Sequence, residues 1–271
     1  MKKRSLFLLG IVLIAAAVWF ALRPVHLKKE VHRPSSIPSK ERISFPAGTG
    51  TIAIVLDDWG YTMRQVKDLQ SIAEPLTLSV LPNLPFSRRV AEEAHAHGDE
   101  VILHMPMEAV SSSAPREKAT LLTTMSREEI VKRLDHSLDE IPHARGISNH
   151  QGSKATAERA VMEIVMDEAK RRNLYFLDSF VTPKSVCDQV ARTIKIRFVR
   201  RDIFLDNDQD PAAIEKNLFR LAAAASRNGQ ALGIGHDRPN MLKVLKQDLP
   251  ALKRAGYKIV AASELARVPS D

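Results

Sequence analysis

Ile52-Ala53-Ile54-Val55-Leu56-Asp57-Asp58-Trp59-Gly60 is an apolar run that breaks into two adjacent carboxylates, and seven more runs end in a similar way. Leu76–Val80 meets Pro82-Asn83, Val101–Leu103 meets His104, and Gly146-Ile147 leads to Asn149-His150. Leu174–Leu177 runs into Asp178-Ser179, and Phe204-Leu205 into Asp206-Asn207. Leu232–Ile234 is followed by Gly235-His236, and Ile259–Ala262 by Ser263-Glu264. Short strands with carboxylates, amides and imidazoles at their C-terminal ends describe an α/β fold, a β/α barrel in which those ends converge on one face. The same rhythm predicts a single polar site drawn from the whole chain, which favours an enzyme.

Helical signals separate the runs. Phe86–His97 stops at Gly98, a residue suited to a left-handed cap. Ser126-Arg127-Glu128-Glu129 is a capping box ahead of Ile130, Leu134 and Leu138. Thr156 is placed to cap a helix whose core face holds Ala160, Val161, Ile164 and Val165. Asp210-Pro211 opens another helix, closed by Asn228-Gly229, and Asn240 opens one that ends near Gly256. Strand and helix in alternation imply parallel strands with crossover helices, and seven or eight such units close a barrel. Pro106–Leu122 has no periodicity; it is either a loop over a substrate groove or an insertion.

The 271 residues carry a net charge of +8, but nine Lys/Arg and two Glu fall in residues 1–49. What is left is 31 basic against 30 acidic residues. A nucleic-acid binder should carry its positive charge on the folded domain, so no nucleic-acid partner is expected. Lys2-Lys3-Arg4 followed by the apolar Leu6–Leu22 reads as a signal anchor or signal peptide over 1–22, the uncleaved anchor being favoured. The positive cluster should stay in the cytoplasm, leaving the domain in the periplasm or otherwise outside the inner membrane. Residues 23–49, rich in Pro, Ser and basic residues, read as a tether, with the folded domain occupying 50–271. Cys187, the lone cysteine, excludes an intramolecular disulfide and reads as a buried structural thiol.

Asp57-Asp58 sets two negative charges side by side, which is costly unless a cation is present or a proton is shared. One carboxylate could hold a metal while the other faces substrate as a base; a solvated turn is the alternative. His104 and His150, each at a strand end, read as ligands, with Asn149 free to donate to a substrate oxygen. His236 has Asp237 beside it. Asp178-Ser179 and Asp206-Asn207 are either helix caps or groups that orient a histidine ligand through its other ring nitrogen. His95, His97, His136 and His143 read as solvated surface residues.

Together these motifs resemble the divergent polysaccharide deacetylases, related to the NodB-like carbohydrate esterases. The resemblance rests on Ile54–Gly60, His97–Glu108, Ser148–Ser153, Phe176–Ser179, Asp202–Asn207 and Ile234–His236, in order over residues 50–266. It implies a deformed (β/α)7–8 barrel that removes N-acetyl groups from amino-sugar polymers with a divalent metal, zinc suiting the donors. By resemblance Asp57 is the base, Asp58 a ligand and His236 the general acid. The family's second histidine, four residues after the first, is replaced here by Glu108, so either Glu108 or His150 is the third ligand. The implied partner is a polysaccharide or peptidoglycan-type glycan. Two other readings stand beside this one: an inactive barrel that binds glycan or an envelope protein, and a glycoside hydrolase pairing Asp57 with Asp206 or Glu264.

Overall fold

A computed structural model of the protein describes residues 45–270 apart from 112, 114 and 115. Strand and helix alternate as expected: β1 (Gly50–Trp59), α1 (Val66–Leu69), β2 (Thr77–Val80), α2 (Ser87–His97), β3 (Glu100–Met107), α3 (Arg127–Glu140) and β4 (Gly146–Gln151). There follow α4 (Arg159–Arg171), β5 (Tyr175–Asp178), α5 (Cys187–Ile194), β6 (Phe198–Arg200), β7 (Ile203–Phe204), α6 (Pro211–Asn228), β8 (Gln230–His236), α7 (Pro239–Arg254) and β9 (Tyr257–Val260). The strands run parallel in the order β6-β5-β4-β3-β2-β1-β8-β7. The expected anchor, and the tether as far as residue 44, lie outside the described residues. No helix among the described residues is long and apolar enough to cross a membrane.

The sheet curls into a barrel but does not close. Among the described residues no ladder joins β6 to β7. Arg201 and Asp202 alone separate these strands, whereas parallel neighbours need a crossover of a dozen residues or more. The expected deformed β/α barrel is thus present, and its deformation is a seam that leaves the barrel half-open. The three-residue β6 escapes a sequence reading because it is too short to show a period. β9 lies along Gly50–Ala53 of β1, and β2 pairs with the same strand from Val55 onward.

Each strand has two buried faces, which is why it reads as a continuous apolar run. Ile52, Ile54, Leu56, Leu78, Leu103 and Ile147 pack with the helices, against residues such as Val90, Leu134 and Val165. Ala53, Val55, Ile102, Tyr175, Leu177, Leu232 and Ile234 form a second cluster inside the barrel. Side chains two apart share a face. The interior set therefore continues upward into Asp57, Ser79, His104, Ser148, His150 and His236.

At the other end of the barrel, Glu100 Oε1 accepts hydrogen bonds from Thr77 Oγ1 (3.0 Å), Tyr175 Oη (2.8 Å) and Ser263 N (3.1 Å). Ala262 N donates to Thr77 Oγ1. Ser263 and Glu264 thus sit at the N-terminal ends of β2 and β3, so the eighth apolar run does not deliver its polar residues to the shared face. The reason is register: β9 ends opposite Ala53, four residues short of Asp57.

Local signals mostly match the elements they were read for. Ser126 and Glu129 make both capping-box bonds, Asp210 accepts from Ala212 N and Ala213 N, and Gly98 and Gly229 have φ of +99° and +79°. Thr156 does not cap α4. It lies in a short 3-10 turn, Ala155–Ala157, with its hydroxyl on Gly152 O. The folded region also reaches further back than residue 50: Phe45 is buried and its ring stacks on Phe219 of α6 at 4.4 Å. The base of the 106–122 segment is fastened to β3, with Leu121 N donating to Pro106 O and Glu108 N to Leu121 O.

Candidate active site

Alternation along β1 would send Asp57 and Asp58 to opposite faces, yet both face the barrel mouth. The cause is a bulge. Leu56 pairs with Leu78 and Trp59 with Val80, so β1 holds one residue more than β2 across this interval. Asp58 takes the left-handed conformation, φ +67°, a region that Asp enters more readily than most residues. The extra residue re-aims the second carboxylate towards the side to which the first already points.

Asp58 Oδ1 lies 3.0 Å from His150 Nδ1 and 3.4 Å from His104 Nε2. The three ligand atoms fall within 4.8 Å of one another. Donors around a tetrahedral zinc stand about 3.3 Å apart, given zinc–ligand distances of about 2.0–2.1 Å. Asp58 Oδ1 is buried, and among the described residues no hydrogen bond of ordinary geometry reaches it despite these short approaches. That is the state of an oxygen and two ring nitrogens whose lone pairs share a centre instead of facing each other. The donor set therefore fits a divalent cation. Burial alone would raise the pKa of Asp58, but the imidazoles of His104 and His150 hold it well below the usual carboxylate range.

The ligand rings are held from behind. His104 Nδ1 bonds to Ser148 Oγ (2.7 Å), and Ser148 Oγ to Ser79 Oγ (2.6 Å). With Nδ1 so occupied, Nε2 is the nitrogen directed at Asp58. If Asp58, His104 and His150 hold a divalent ion, His104→Ala should lower the metal bound after dialysis, measured by elemental analysis, whereas His236→Ala should leave it unchanged.

Asp57 is buried, with Oδ2 3.6 Å from His104 Nε2 and, among the described residues, no hydrogen-bond partner for Oδ1. Burial pushes its pKa up, and the charge on Asp58 adds to this, while His104 and His236 oppose it. A carboxylate so placed is ready to take a proton. Across the mouth, His236 Nδ1 is 2.7 Å from Asp206 Oδ1. Asp206 is fully buried; it also accepts from His236 N, and Arg238 Nη1 lies 3.3 Å from Oδ2. Burial disfavours a charged His236 ring, but the Asp206 hydrogen bond and the charges of Asp206, Asp57 and Asp58 outweigh it, so its pKa is raised.

Several residues read from the sequence take other roles. Glu108 is not among the converging donors: it accepts from Thr123 N, Thr123 Oγ1 and Lys154 Nζ, tying the end of β3 to the segments that follow. His150 occupies the third position instead. Asn149 is committed on both sides of its amide, with Oδ1 accepting from Ser179 N and Nδ2 donating to Gln151 O. One of the two Nδ2 hydrogens is thereby committed to the turn. Ser179 Oγ donates to Asn149 O, and Asp178 accepts from Phe180 N and Ser185 Oγ. These two shape the turn after β5, and their hydrogen bonds go to no histidine among the described residues. The glycosidase pairing fails on geometry, since Asp206 is spent on His236 and Glu264 lies at the other end of the barrel.

Two residues at the mouth were not read as part of the site. Asp237 follows His236, and its Oδ1 is buried without a partner. Burial and the charge of Asp58 push its pKa up to about 7. Arg201 donates to Ser179 O and Phe180 O and lies 3.7 Å over the Phe204 ring, close enough to Asp57 for their charges to interact. Gly-His-Asp offered a hint of the first. Nothing local marks the second, because its partners come from a different strand.

The sequence pattern of the family described as divergent polysaccharide deacetylase matches residues 54–266. The chain is 36% identical over 227 residues to the uncharacterized protein YibQ of Escherichia coli strain K12, covering 84% of this chain and 70% of that protein. Its fold is similar to the crystal structure of the uncharacterized protein ATU2773 from Agrobacterium tumefaciens C58. That match has a TM-score of 0.76 and 25% identity, and covers 81% of this chain and 89% of the other. A mutant of BA3943, a CE4 family pseudoenzyme with restored enzymatic activity, shares the fold at a TM-score of 0.54 and 16% identity, with 81% and 68% covered.

Proposed function

Because the chain belongs to the divergent polysaccharide deacetylase family, we propose that it hydrolyses the acetamide of an N-acetylated amino-sugar polymer in the cell envelope, with a divalent metal, zinc by preference. The observation that carries this reading is the unpartnered Asp58 Oδ1 with two imidazole nitrogens converging on it. Asp57 and the His236–Asp206 pair flank that point from the two neighbouring strands β1 and β8, where Asp57 and His236 are register partners.

Asp58, His104 and His150 would hold the ion. The chemistry it supplies when bound is Lewis acidity, which polarises an acyl oxygen and makes water easier to deprotonate at neutral pH. Asp57 Oδ1, buried and free, takes the proton from water as its oxygen attacks the acetamide carbon. His236 is held by Asp206 with Nδ1 engaged, so Nε2 carries the proton that goes to the amine as the C–N bond breaks. Water and acetamide become acetate and a free amine. The N-terminal basic and apolar segments support a location outside the cytoplasmic membrane.

Acetate release from acetylated chitooligosaccharides and peptidoglycan fragments, with and without a chelator, tests the proposal. Absence of metal-dependent release on every amino-sugar polymer would sink it. A competing reading, a barrel that binds glycan without turnover, draws on Glu108, which stands where the family pattern has its second histidine and is held by Thr123 and Lys154. Glycan binding by protein lacking stoichiometric metal would favour it.

The alkaline side of the pH profile follows from His236. A general acid must be protonated, so kcat/KM should fall as pH rises through the pKa of His236, which lies above the ordinary 6.5. Asp206→Asn removes the charge that sustains this elevation. The descending limb should then move to lower pH, and an unmoved limb would assign the acid to another group.

A further inference from the structure

A second concave surface lies beside the candidate site, outside everything the deacetylase reading uses. It is a cavity of about 470 Å³ between α3 and the segment around residues 118–119, with Asn83 on its rim. Asn83 follows the C-terminal end of β2, whose Val80 pairs with Trp59, the residue after Asp58. Lys118 adjoins Glu117, which accepts a 2.6 Å hydrogen bond from Tyr61 just past that same bulge. The cavity therefore opens on the rim of the barrel mouth, not on the opposite end, where Glu100 latches Tyr175, Thr77 and Ser263 together.

Its walls are basic. Lys118, Lys132 and Arg133 line it together with His136, and a single acid, Glu129, opposes them. Glu129 is turned into the capping box of α3, where its carboxylate accepts from Ser126 N. One of the cations is held by the fold: Arg133 Nη1 donates to Lys118 O and Thr120 O, fixing one wall. His136 Nε2 lies 3.1 Å from Asn83 Oδ1, linking α3 to the β2 loop. At the floor, Ser137 is fully buried and its hydroxyl has no hydrogen-bond partner among the described residues. A buried hydroxyl left unpaired costs free energy that a bound acceptor would recover. Three positive charges, Arg133 among them held in place, and an unused donor describe a site for an oxyanion on a larger molecule.

We propose that this cavity binds the carboxylate of an acidic saccharide, so that the polymer drawn across the barrel mouth carries acid groups. The saccharide part of this statement rests on the deacetylase reading; the carboxylate part rests on the cavity alone. The test uses two soluble disaccharides that differ by one lactyl carboxylate: N-acetylglucosaminyl-N-acetylmuramic acid and N,N′-diacetylchitobiose. Binding to the full chain is measured calorimetrically at low salt. The acidic disaccharide should bind about tenfold more tightly, a difference of about 1.4 kcal/mol.

Lys118→Glu/Lys132→Glu changes two exposed side chains and should abolish the preference while leaving the melting temperature unchanged. His104→Ala should keep the preference while losing acetate release, so failure of the hydrolytic reading and failure of this one are told apart. Equal affinities for the two sugars, no binding of the acidic one, or a preference that survives the double charge reversal would each overturn the proposal.

Discussion

Asp57→Asn should lower acetate release by about 10²–10⁴-fold, the range a positioned proton acceptor contributes, without lowering metal content. Asparagine keeps the shape of the side chain and cannot accept the proton. Asp57 is buried with one oxygen unpartnered, and burial already raises its pKa. The neutral amide removes a charge that the barrel interior disfavours, so thermal stability should hold or rise. Loss of activity with a gain in stability is the pattern of a group kept for chemistry. If the variant instead loses its metal, Asp57 is a ligand and the division of labour between the two acids is reversed. If turnover stays at the wild-type level, the base lies elsewhere, and Asp237 is then the first residue to test.

The second large effect belongs to the opposite end of the barrel. Glu100→Ala removes the acceptor shared by Tyr175 Oη, Thr77 Oγ1 and Ser263 N. Tyr175 is fully buried, and burial, with Glu100 beside it, pushes its phenol pKa well up, so it stays a donor. Orphaning buried donors at about 1–3 kcal/mol each gives a loss of about 3 kcal/mol or more. In a domain of this size that is on the order of 10 °C in melting temperature. Tyr175→Phe orphans nothing comparable and should cost about 1 kcal/mol. Activity per folded molecule should be unchanged in both, because the latch and the catalytic mouth are separated by the length of the strands. A melting temperature unmoved in Glu100→Ala would show that the C-terminal segment is held by its other contacts, Ala262 N on Thr77 Oγ1 and the Phe198–Arg267 backbone bonds among them.

The parallel strands were legible because both of their faces are buried, which leaves uninterrupted apolar runs. Asp57, Asp58, His104, His150, Asp206 and His236 were legible because each directly ends, or stands next to the end of, such a run. What the sequence could not express was side-chain traffic across strands. Asn149 and Ser179 look like substrate contacts as sequence, but their partners are each other. Glu108 has the right charge and spacing for a ligand, but Lys154 and Thr123 hold it. The seam between β6 and β7 also went unread, because a three-residue and a two-residue strand carry no period. The latch was hidden for a different reason: Glu100 opens β3, where an acid reads as ordinary solvent-facing punctuation.

The left-handed residue at the end of β1 has one more consequence. Because Asp58 follows Asp57 directly, the gap between the two carboxylates is set locally, by the bulge and the left-handed turn of the chain at Asp58. Loosening of the barrel would carry the imidazoles on β3 and β4 away first, while the two acids kept station. A chain one residue shorter at this point would not weaken by degrees: the paired arrangement would vanish in a single step.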